Sequence, residues 1–414
     1  MDTKMLRCGL LGRKLGHSYS PAIHERLADY SYRLFEVEPE DLGAFLQEGA
    51  FDGLNVTIPY KKDVIPYCAE LSDTARAIGA VNTLVRRADG TLWGDNTDAY
   101  GFSMLVQSSG ADVAGKKALV FGSGGASATA QYVLRRLGAR EVVVISRHGE
   151  DNYENLDRHA DAQIAVNTTP VGMYPNTGVS PVDLHRLPRL EAALDVVYNP
   201  ARTEFLLQAE ARGLRRANGL LMLAAQAKKS CEDFTGEPVD DAKIFSITKA
   251  LEAQMHNVIL IGMPGSGKTT IGALVAKRLG RTFVDADSAL EREAGMPIPE
   301  IFRREGEAGF RRRETAVLAE LGRQSGLVLA TGGGSVTREE NYPLLHQNGE
   351  IFCLQRALER LPSAGRPVSQ ALGAQTIYAQ RKPLYARFAD AMIDNNGTPE
   401  AAAAQILEVL GCSC

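Results

Sequence analysis

Three nearly uninterrupted apolar runs, Lys117-Ala-Leu-Val-Phe121, Glu141-Val-Val-Val-Ile145 and Val258-Ile-Leu-Ile261, stand out along the chain. None alternates apolar with polar residues, so each reads as a strand buried on both faces of a parallel sheet rather than half-exposed. Helix-compatible stretches alternate with them, Ala128 to Leu137 after the first and Ser288 to Ala294 after a shorter run at Phe283. A further strand is expected over Leu327 to Ala330, and a terminal helix through Ala401 to Leu410, where alanines favour helix and Ile406, Leu407 and Leu410 continue an apolar stripe. The alternation predicts an α/β chain with parallel sheets. Glycine turns at Gly122 and Gly262, each between strand and helix, mark two phosphate-binding sites rather than one.

With 414 residues the chain is too long for one core. It divides into 1–105, 106–235, a joint over 236–256, and 257–414. The joint has no Gly/Ser/Pro tether, and Phe245, Ile247 and Leu251 suggest partly helical packing, so it reads as short and stiff. A net charge of -4 offers no footprint for nucleic acid or an anionic membrane, which favours small-molecule partners. No apolar run reaches the roughly 20 residues of a membrane span, and Cys8-Gly-Leu-Leu11 is too short for a signal-peptide core, so a cytoplasmic protein is expected. The six cysteines lack metal-site spacing and read as reduced thiols, Cys412 and Cys414 as a frayed terminus. Nothing in the sequence sets an oligomeric state.

Candidate chemistry gathers first between residues 17 and 98. Asn55-Val-Thr-Ile-Pro-Tyr-Lys61 carries an amide, a hydroxyl and an ammonium on one strand-to-turn segment, with alternate positions facing one way and Pro59 ending the strand. His17-Ser-Tyr-Ser-Pro21 adds the hydroxyls of Ser18 and Ser20, Gly79-Ala-Val-Asn-Thr83 adds Asn82, and Gly94-Asp-Asn-Thr-Asp98 adds a carboxylate. Taken singly, Lys61 fits a solvated surface, Asp98 a helix cap and the serines a turn. Taken in this order, they resemble the substrate lobe of shikimate dehydrogenase. The resemblance continues through Asn167-Thr-Thr-Pro-Val-Gly-Met173, Asp195-Val-Val-Tyr-Asn-Pro200 and Gly219-Leu-Leu-Met-Leu-Ala-Ala-Gln226, covering roughly residues 5 to 240. It implies that Ser18, Ser20, Asn55, Thr57, Asn82, Tyr198 and Gln226 bind the polyol carboxylate and that Lys61 and Asp98 form the catalytic pair. Ketone reduction needs a proton and oxyanion stabilisation opposite the hydride donor; an ammonium supplies both, and a neighbouring carboxylate orients it.

Phe121-Gly-Ser-Gly-Gly-Ala-Ser127 lies between strand and helix, as a dinucleotide turn requires, and makes Gly122, Gly124, Gly125 and Ala126 cofactor candidates. Ser146 and Arg147 end the second strand where NAD-specific enzymes carry an acid for the ribose; a guanidinium there suits a 2'-phosphate, so NADP(H) is expected. Gly219 and Met222 complete the implied cofactor set. Only about twenty residues separate Ser146 from Asn167, fewer than the family usually has, which implies a missing helix or strand beside the adenosine end.

The second site opens with the full P-loop pattern Gly262-x-x-x-x-Gly267-Lys268-Thr269. Gly262, Gly265, Ser266, Gly267 and Thr270 would cradle ATP, Lys268 would reach the β and γ groups, and the Thr269 hydroxyl would ligate Mg²⁺. Asp285 and Asp287 sit two apart at a strand end, where one could equally cap the following helix. Arg311 stands in Arg311-Arg-Arg313, which would also suit a solvated basic face, and Gly333 and Gly334 stand in a turn, Thr331-Gly-Gly-Gly-Ser335. With Gly365-Arg-Pro367 and Gln380-Arg-Lys-Pro-Leu-Tyr385, this ordered set resembles shikimate kinase over 257–412. The resemblance implies that Asp287 binds the acceptor and takes its proton, that Arg311 and Arg381 clamp the carboxylate over a floor of Gly333 and Gly334, that Asp285 supports Mg²⁺, and that Arg366 reaches the phosphoryl group from a lid.

The expected architecture is a two-lobed dehydrogenase with a Rossmann-like NADP domain, fused to a P-loop α/β kinase. Its substrates would be 3-dehydroshikimate and then shikimate, the product of the first site serving as acceptor at the second. Two rivals remain: a quinate/shikimate dehydrogenase joined to another small-acid kinase, and a catalytically inactive metabolite sensor.

Overall fold

The computed structural model describes residues 5–16, 18–361 and 374–412. It falls into two compact units, Met1–Met173 with Val179–Tyr198 and Thr203–Ala250, and Leu251–Cys414 with Tyr174–Gly178 and Asn199–Arg202.

The first unit holds two sheets. One is mixed, in the order β2-β1-β3-β5-β6-β4, formed by β1 (Arg7–Gly12), β2 (Ser31–Glu36), β3 (Gly53–Val56), β4 (Cys68–Leu71), β5 (Thr83–Arg86) and β6 (Leu92–Asp95). The other is wholly parallel, in the order β11-β10-β9-β7-β8, formed by β7 (Lys117–Phe121), β8 (Glu141–Ile145), β9 (Ile164–Asn167), β10 (Ala192–Asp195) and β11 (Arg215–Ala217). The apolar runs at 117–121 and 141–145 are β7 and β8, and β7 is buried throughout because helices cover both faces of the sheet. The helix Asp98–Ser109 packs Phe102, Leu105 and Val106 against Val120, Ile164 and Leu194 of that sheet. The expected lobe boundary near 105 therefore falls inside this helix. The helix after β7 begins at Gly125, earlier than expected, and ends at Arg136.

Between β8 and β9 there is one short 3-10 turn, Leu156–His159, and no α-helix, in keeping with the short stretch of sequence there. The joint is more regular than expected: Ala242–Met255 is continuous helix, burying Ile247 and Leu251 while Phe245 stays exposed, and a strand begins at Asn257.

The second unit is a parallel sheet in the order β13-β14-β12-β15-β16, from β12 (Asn257–Ile261), β13 (Phe283–Asp285), β14 (Val328–Ala330), β15 (Gly349–Gln355) and β16 (Ala391–Asp394). Its two faces carry separate cores. Ile259, Ile261, Leu329 and Ile351 pack towards Leu318 and Phe388, while Val258, Leu260 and Phe352 pack towards Val275 and Ile406 of the terminal helix Pro399–Val409. Cys8, Cys68, Cys231, Cys353 and Cys412 are free thiols, and among the described residues no helix is long and apolar enough to cross a membrane. Cys414, His17 and Arg366 with its Gly-Arg-Pro segment lie outside the described residues.

Candidate active sites

In the first unit, adjacent strands of the mixed sheet bring the polar motifs to one cavity of about 290 Å³. Asn55 lies on β3, Thr57 just beyond it and Lys61 in the turn that follows; Asn82 precedes β5, and Asp98 opens the helix after β6. Ser18, Ser20, Asn55, Thr57, Lys61, Asn82, Asp98, Tyr198, Gly219, Met222 and Gln226, every residue expected for substrate together with two expected for cofactor, line this cavity. Lys61 Nζ donates to Asp98 Oδ2 at 2.6 Å. Asp98 is the first residue of its helix, where the helix dipole favours a carboxylate, and its partner is the ammonium rather than a backbone amide, so it is no simple cap. Tyr198 closes one side with its ring edge against Tyr19 at 6.2 Å, and burial raises its phenol pKa.

Beneath the cavity lies a buried hydroxyl and amide network that the sequence reading missed. Ser230 accepts from Asn55 Nδ2 at 2.7 Å, lies 2.9 Å from both Thr83 and Thr97 Oγ1, and donates to the Gln226 carbonyl. Tyr32 donates to Asn55 Oδ1 at 2.8 Å, so both ends of that amide are fixed. Ser230 follows Gln226 by four residues on the helix Leu220–Thr235, a same-face spacing that was available as a signal.

The dinucleotide turn sits at the carboxyl edge of the parallel sheet. Gly122 follows β7 with φ +106, and a Cβ there would come within 2.9 Å of Thr168 Oγ1 and Thr169 Cγ2, so both conformation and space demand glycine. Gly124 caps the helix that begins Gly125-Ala126. Because Phe121 and Ile145 are in register, Ser146 and Arg147 emerge beside this turn; Arg147 is exposed, and the nearby carboxylate of Asp151 is engaged by His159 at 2.8 Å. The exposed guanidinium of Arg147 therefore stands beside the glycine turn.

The second unit builds its site on the carboxyl edge of β12, β13 and β14. Gly265, Gly267, Lys268, Thr269, Thr270, Asp285, Asp287 and Gly333 line one cavity of about 380 Å³, together with Pro264, Thr331 and Arg356. Gly262 and Ser266 shape the loop from behind: Lys268 Nζ donates to the Gly262 and Met263 carbonyls at 2.9 and 3.1 Å, and the Ser266 carbonyl accepts from Asn395. Asp285 does two things at once. Its Oδ1 caps the helix Ala286–Ala294 through the Asp287 and Ser288 amides, and its Oδ2 accepts from Thr269 Oγ1 at 2.8 Å. Asp287 is the freer carboxylate, and burial, aided by Asp285 and Glu314, pushes its pKa up to about 6.

Arg311 is buried, paired with Glu314 at 2.6 Å, and packed on the Gly334 backbone; it is not part of a solvated face. Arg381 Nη1 and Tyr385 Oη both donate to the Gly333 carbonyl, at 2.9 and 2.6 Å. The roles of Glu314 and Tyr385 went unread, although they stand three and four residues beyond Arg311 and Arg381 on helices. Among the described residues no cluster of His, Cys, Asp and Glu could hold a metal by itself.

Fold and sites together define an α/β enzyme with a dinucleotide-dependent oxidoreductase half and a P-loop phosphotransferase half. Residues 10–84 match the model of the shikimate dehydrogenase substrate binding domain, and residues 264–411 match that of shikimate kinase. A shikimate dehydrogenase (NADP(+)) of Clostridium perfringens is 36% identical over 267 residues, 59% of this chain and 98% of the relative. A crystal structure of a chorismate mutase/shikimate 5-dehydrogenase fusion protein from Clostridium acetobutylicum aligns with TM-score 0.57 and 35% identity, covering 60% of this chain and 98% of that one. The shikimate 5-dehydrogenase of Thermus thermophilus, solved with NADP(H) and shikimate, aligns with TM-score 0.54 and 33% identity, covering 59% and 99%. The chain belongs to the shikimate dehydrogenase family and carries a shikimate kinase domain in its C-terminal unit, as a bifunctional fusion.

Proposed function

We propose that the first site reduces 3-dehydroshikimate to shikimate with NADPH and that the second phosphorylates shikimate with ATP to shikimate 3-phosphate. The observation that carries the reading is the Lys61–Asp98 pair, an ammonium held at 2.6 Å in a cavity otherwise lined by hydroxyls, amides and a phenol. NADPH supplies the hydride. Gly122, Gly124, Gly125 and Ala126 would take its pyrophosphate, Ser146 and Arg147 its 2'-phosphate, and Gly219 and Met222 the nicotinamide side. Lys61 donates a proton to the developing alkoxide and stabilises its charge, while Asp98 orients the ammonium. Ser18, Ser20, Asn55, Thr57, Asn82, Tyr198 and Gln226 orient the polyol and its carboxylate. The fixed amide of Asn55 adds precision to that placement.

In the second site Arg311 and Arg381 hold the carboxylate over Gly333 and Gly334. Asp287 accepts the hydroxyl proton, and a pKa of about 6 suits a base working near neutrality. Lys268 leaves its loop carbonyls for the phosphate oxygens, Gly262, Gly265, Ser266, Gly267 and Thr270 shape the phosphate cradle, and Arg366 acts on the transferred group. The hard oxygens of Thr269 and Asp285, already 2.8 Å apart at the phosphate cavity, fit Mg²⁺, which supplies charge neutralisation when bound. The reading is of a cytoplasmic enzyme.

Lys61→Ala is expected to abolish reduction and leave phosphorylation intact, and Lys268→Ala to do the reverse, in coupled NADPH and ATP assays of the full chain. Loss of both activities from either folded variant would overturn the two-site reading. Quinate offered beside shikimate in the same assays tests the quinate alternative, and a wild-type protein that turns over neither substrate would be the inactive sensor.

A further inference from the structure

The nucleotide cavity contains a cation for which the reading above has no use. Arg356 is the first residue after β15, and β15 lies beside β12 in register, Cys353 opposite Ile261. The register carries Arg356 to the carboxyl edge of the sheet next to the loop 262–267. There it lines the same cavity as Lys268, Thr269 and Thr270. Its Nη1 lies 3.9 Å from where a Cβ on Gly267 would stand, and Gly267 caps the helix Lys268–Leu279. Its Nε is buried and, among the described residues, has no hydrogen-bond partner.

Such an arrangement is unlike that of the other arginines around the site. Arg311 is paired with Glu314, and Arg381 donates to a backbone carbonyl. A guanidinium with a buried donor left unmatched, beside a loop whose backbone amides await anionic oxygens, has the chemistry of a phosphate contact. Its position gives it a part of the nucleotide. Asp287 lies by Gly332, with Oδ1 2.8 Å from that residue's Cβ position, which marks the acceptor end; Arg356 lies by Gly267 and Asn395 instead.

We propose that Arg356 contacts the phosphate chain of the bound nucleotide on the Gly267 side. It is thus a second fixed cation beside Lys268, and one that holds ground-state nucleotide rather than the group in transfer. This rests on the kinase reading of the site. Being mounted at a strand end, it acts without any closing movement.

The test uses the full chain with Arg356→Gln and Arg356→Lys, ADP binding by calorimetry, and steady-state phosphorylation. Loss of one charge-assisted contact is expected to weaken ADP about tenfold to a hundredfold in Arg356→Gln and to raise KM for ATP in parallel, with kcat within a few-fold and partial recovery in Arg356→Lys. A residue that merely supported the fold would lower kcat or thermal stability and leave the ADP affinity of the folded fraction alone. That result, or wild-type ADP affinity in Arg356→Gln, would overturn the assignment. Failure of the kinase reading itself looks different: wild-type protein would neither bind ADP nor phosphorylate shikimate.

Discussion

Replacing Asp287 by Asn is expected to destroy phosphoryl transfer and, at neutral pH, to make the kinase unit more stable. The carboxyl is pushed from the ordinary 3.8 to about 6, first by burial, then by the charges of Asp285 and Glu314, with Lys268 and Arg311 only partly offsetting them. At 1.36 kcal/mol per pH unit, holding it ionised in the fold costs up to about 3 kcal/mol. The sign follows from proton linkage. Between pH 3.8 and about 6 the folded state binds the proton more tightly than the unfolded one, so wild-type stability falls as pH rises through that window. Asn mimics the protonated form, so its advantage is full above pH about 6 and vanishes below about 4. The price of the charge is accepted because the same environment yields a usable base.

The assay is thermal unfolding of wild type and Asp287→Asn from pH 4 to 8, following the transition that ADP raises, together with the pH dependence of phosphorylation. Loss of a general base predicts a fall in kcat of about a hundredfold or more. Wild-type activity should fall as pH drops from neutrality towards 5, where a carboxylate of ordinary pKa would stay more than about nine-tenths ionised. A variant no more stable than wild type at pH 7, or a stability difference that does not shrink towards pH 4, would refute the claim that burial sets the proton affinity of Asp287.

Other perturbations probe single contacts. Arg147→Ala should raise KM for NADPH well beyond that for NADH, since only the former loses a charge-assisted bond; equal effects would show that Arg147 does not read the 2'-phosphate. Gly334→Ala would put a Cβ 2.3 Å from Arg311 Nη2, so KM for shikimate in phosphorylation should rise about tenfold or more while reduction is unchanged; an unaltered KM would detach Arg311 from substrate.

The parts of this molecule that the sequence discloses are those whose causes are local. β7 reads directly as an apolar run because helices cover both faces of the sheet there, whereas β8, expected to be buried on both faces, is an edge strand that leaves Glu141 exposed and Val142 and Val144 half-buried; the Gly122 and Gly262 turns announce themselves through the backbone conformations they need. β12 begins one residue before its apolar run, at Asn257, for a reason no local window contains. That buried amide donates to the Gln324 carbonyl at 2.7 Å and accepts from the Leu327 amide at 2.8 Å, both distant in the chain. β11, Arg215–Ala217, has almost no apolar signature, since it is a short edge strand whose two arginines are exposed and which sets only Ala217 against the core. The site residues divide in the same way. Those inside strand-end motifs were legible, but Ser230, Glu314 and Tyr385, polar positions on helices, default to solvent in any periodicity argument, and only tertiary packing buries them. Arg356 gave no local sign at all: one arginine after a strand is ordinary until β12 supplies a phosphate loop beside it.

The two sites also differ in how they would meet the same acid. The first offers neutral donors to the carboxylate, the hydroxyls of Ser18 and Ser20 and the amides of Asn82 and Gln226, with Lys61 committed to Asp98. The second offers two buried guanidiniums, each already oriented by a neighbour, Arg311 by Glu314 and Arg381 by the Gly333 carbonyl. Hydrogen bonds from charged donors are roughly twice as strong as neutral ones, and they are stronger still where water is excluded. Neutral recognition suits a site that must release its product, whereas charged recognition suits one that must gather a dilute acceptor before ATP is spent. On the proposed roles, a coupled reaction started from 3-dehydroshikimate is expected to show a lag while free shikimate accumulates, shortened by added Lys61→Ala protein; a reaction without any lag would refute transfer through solvent.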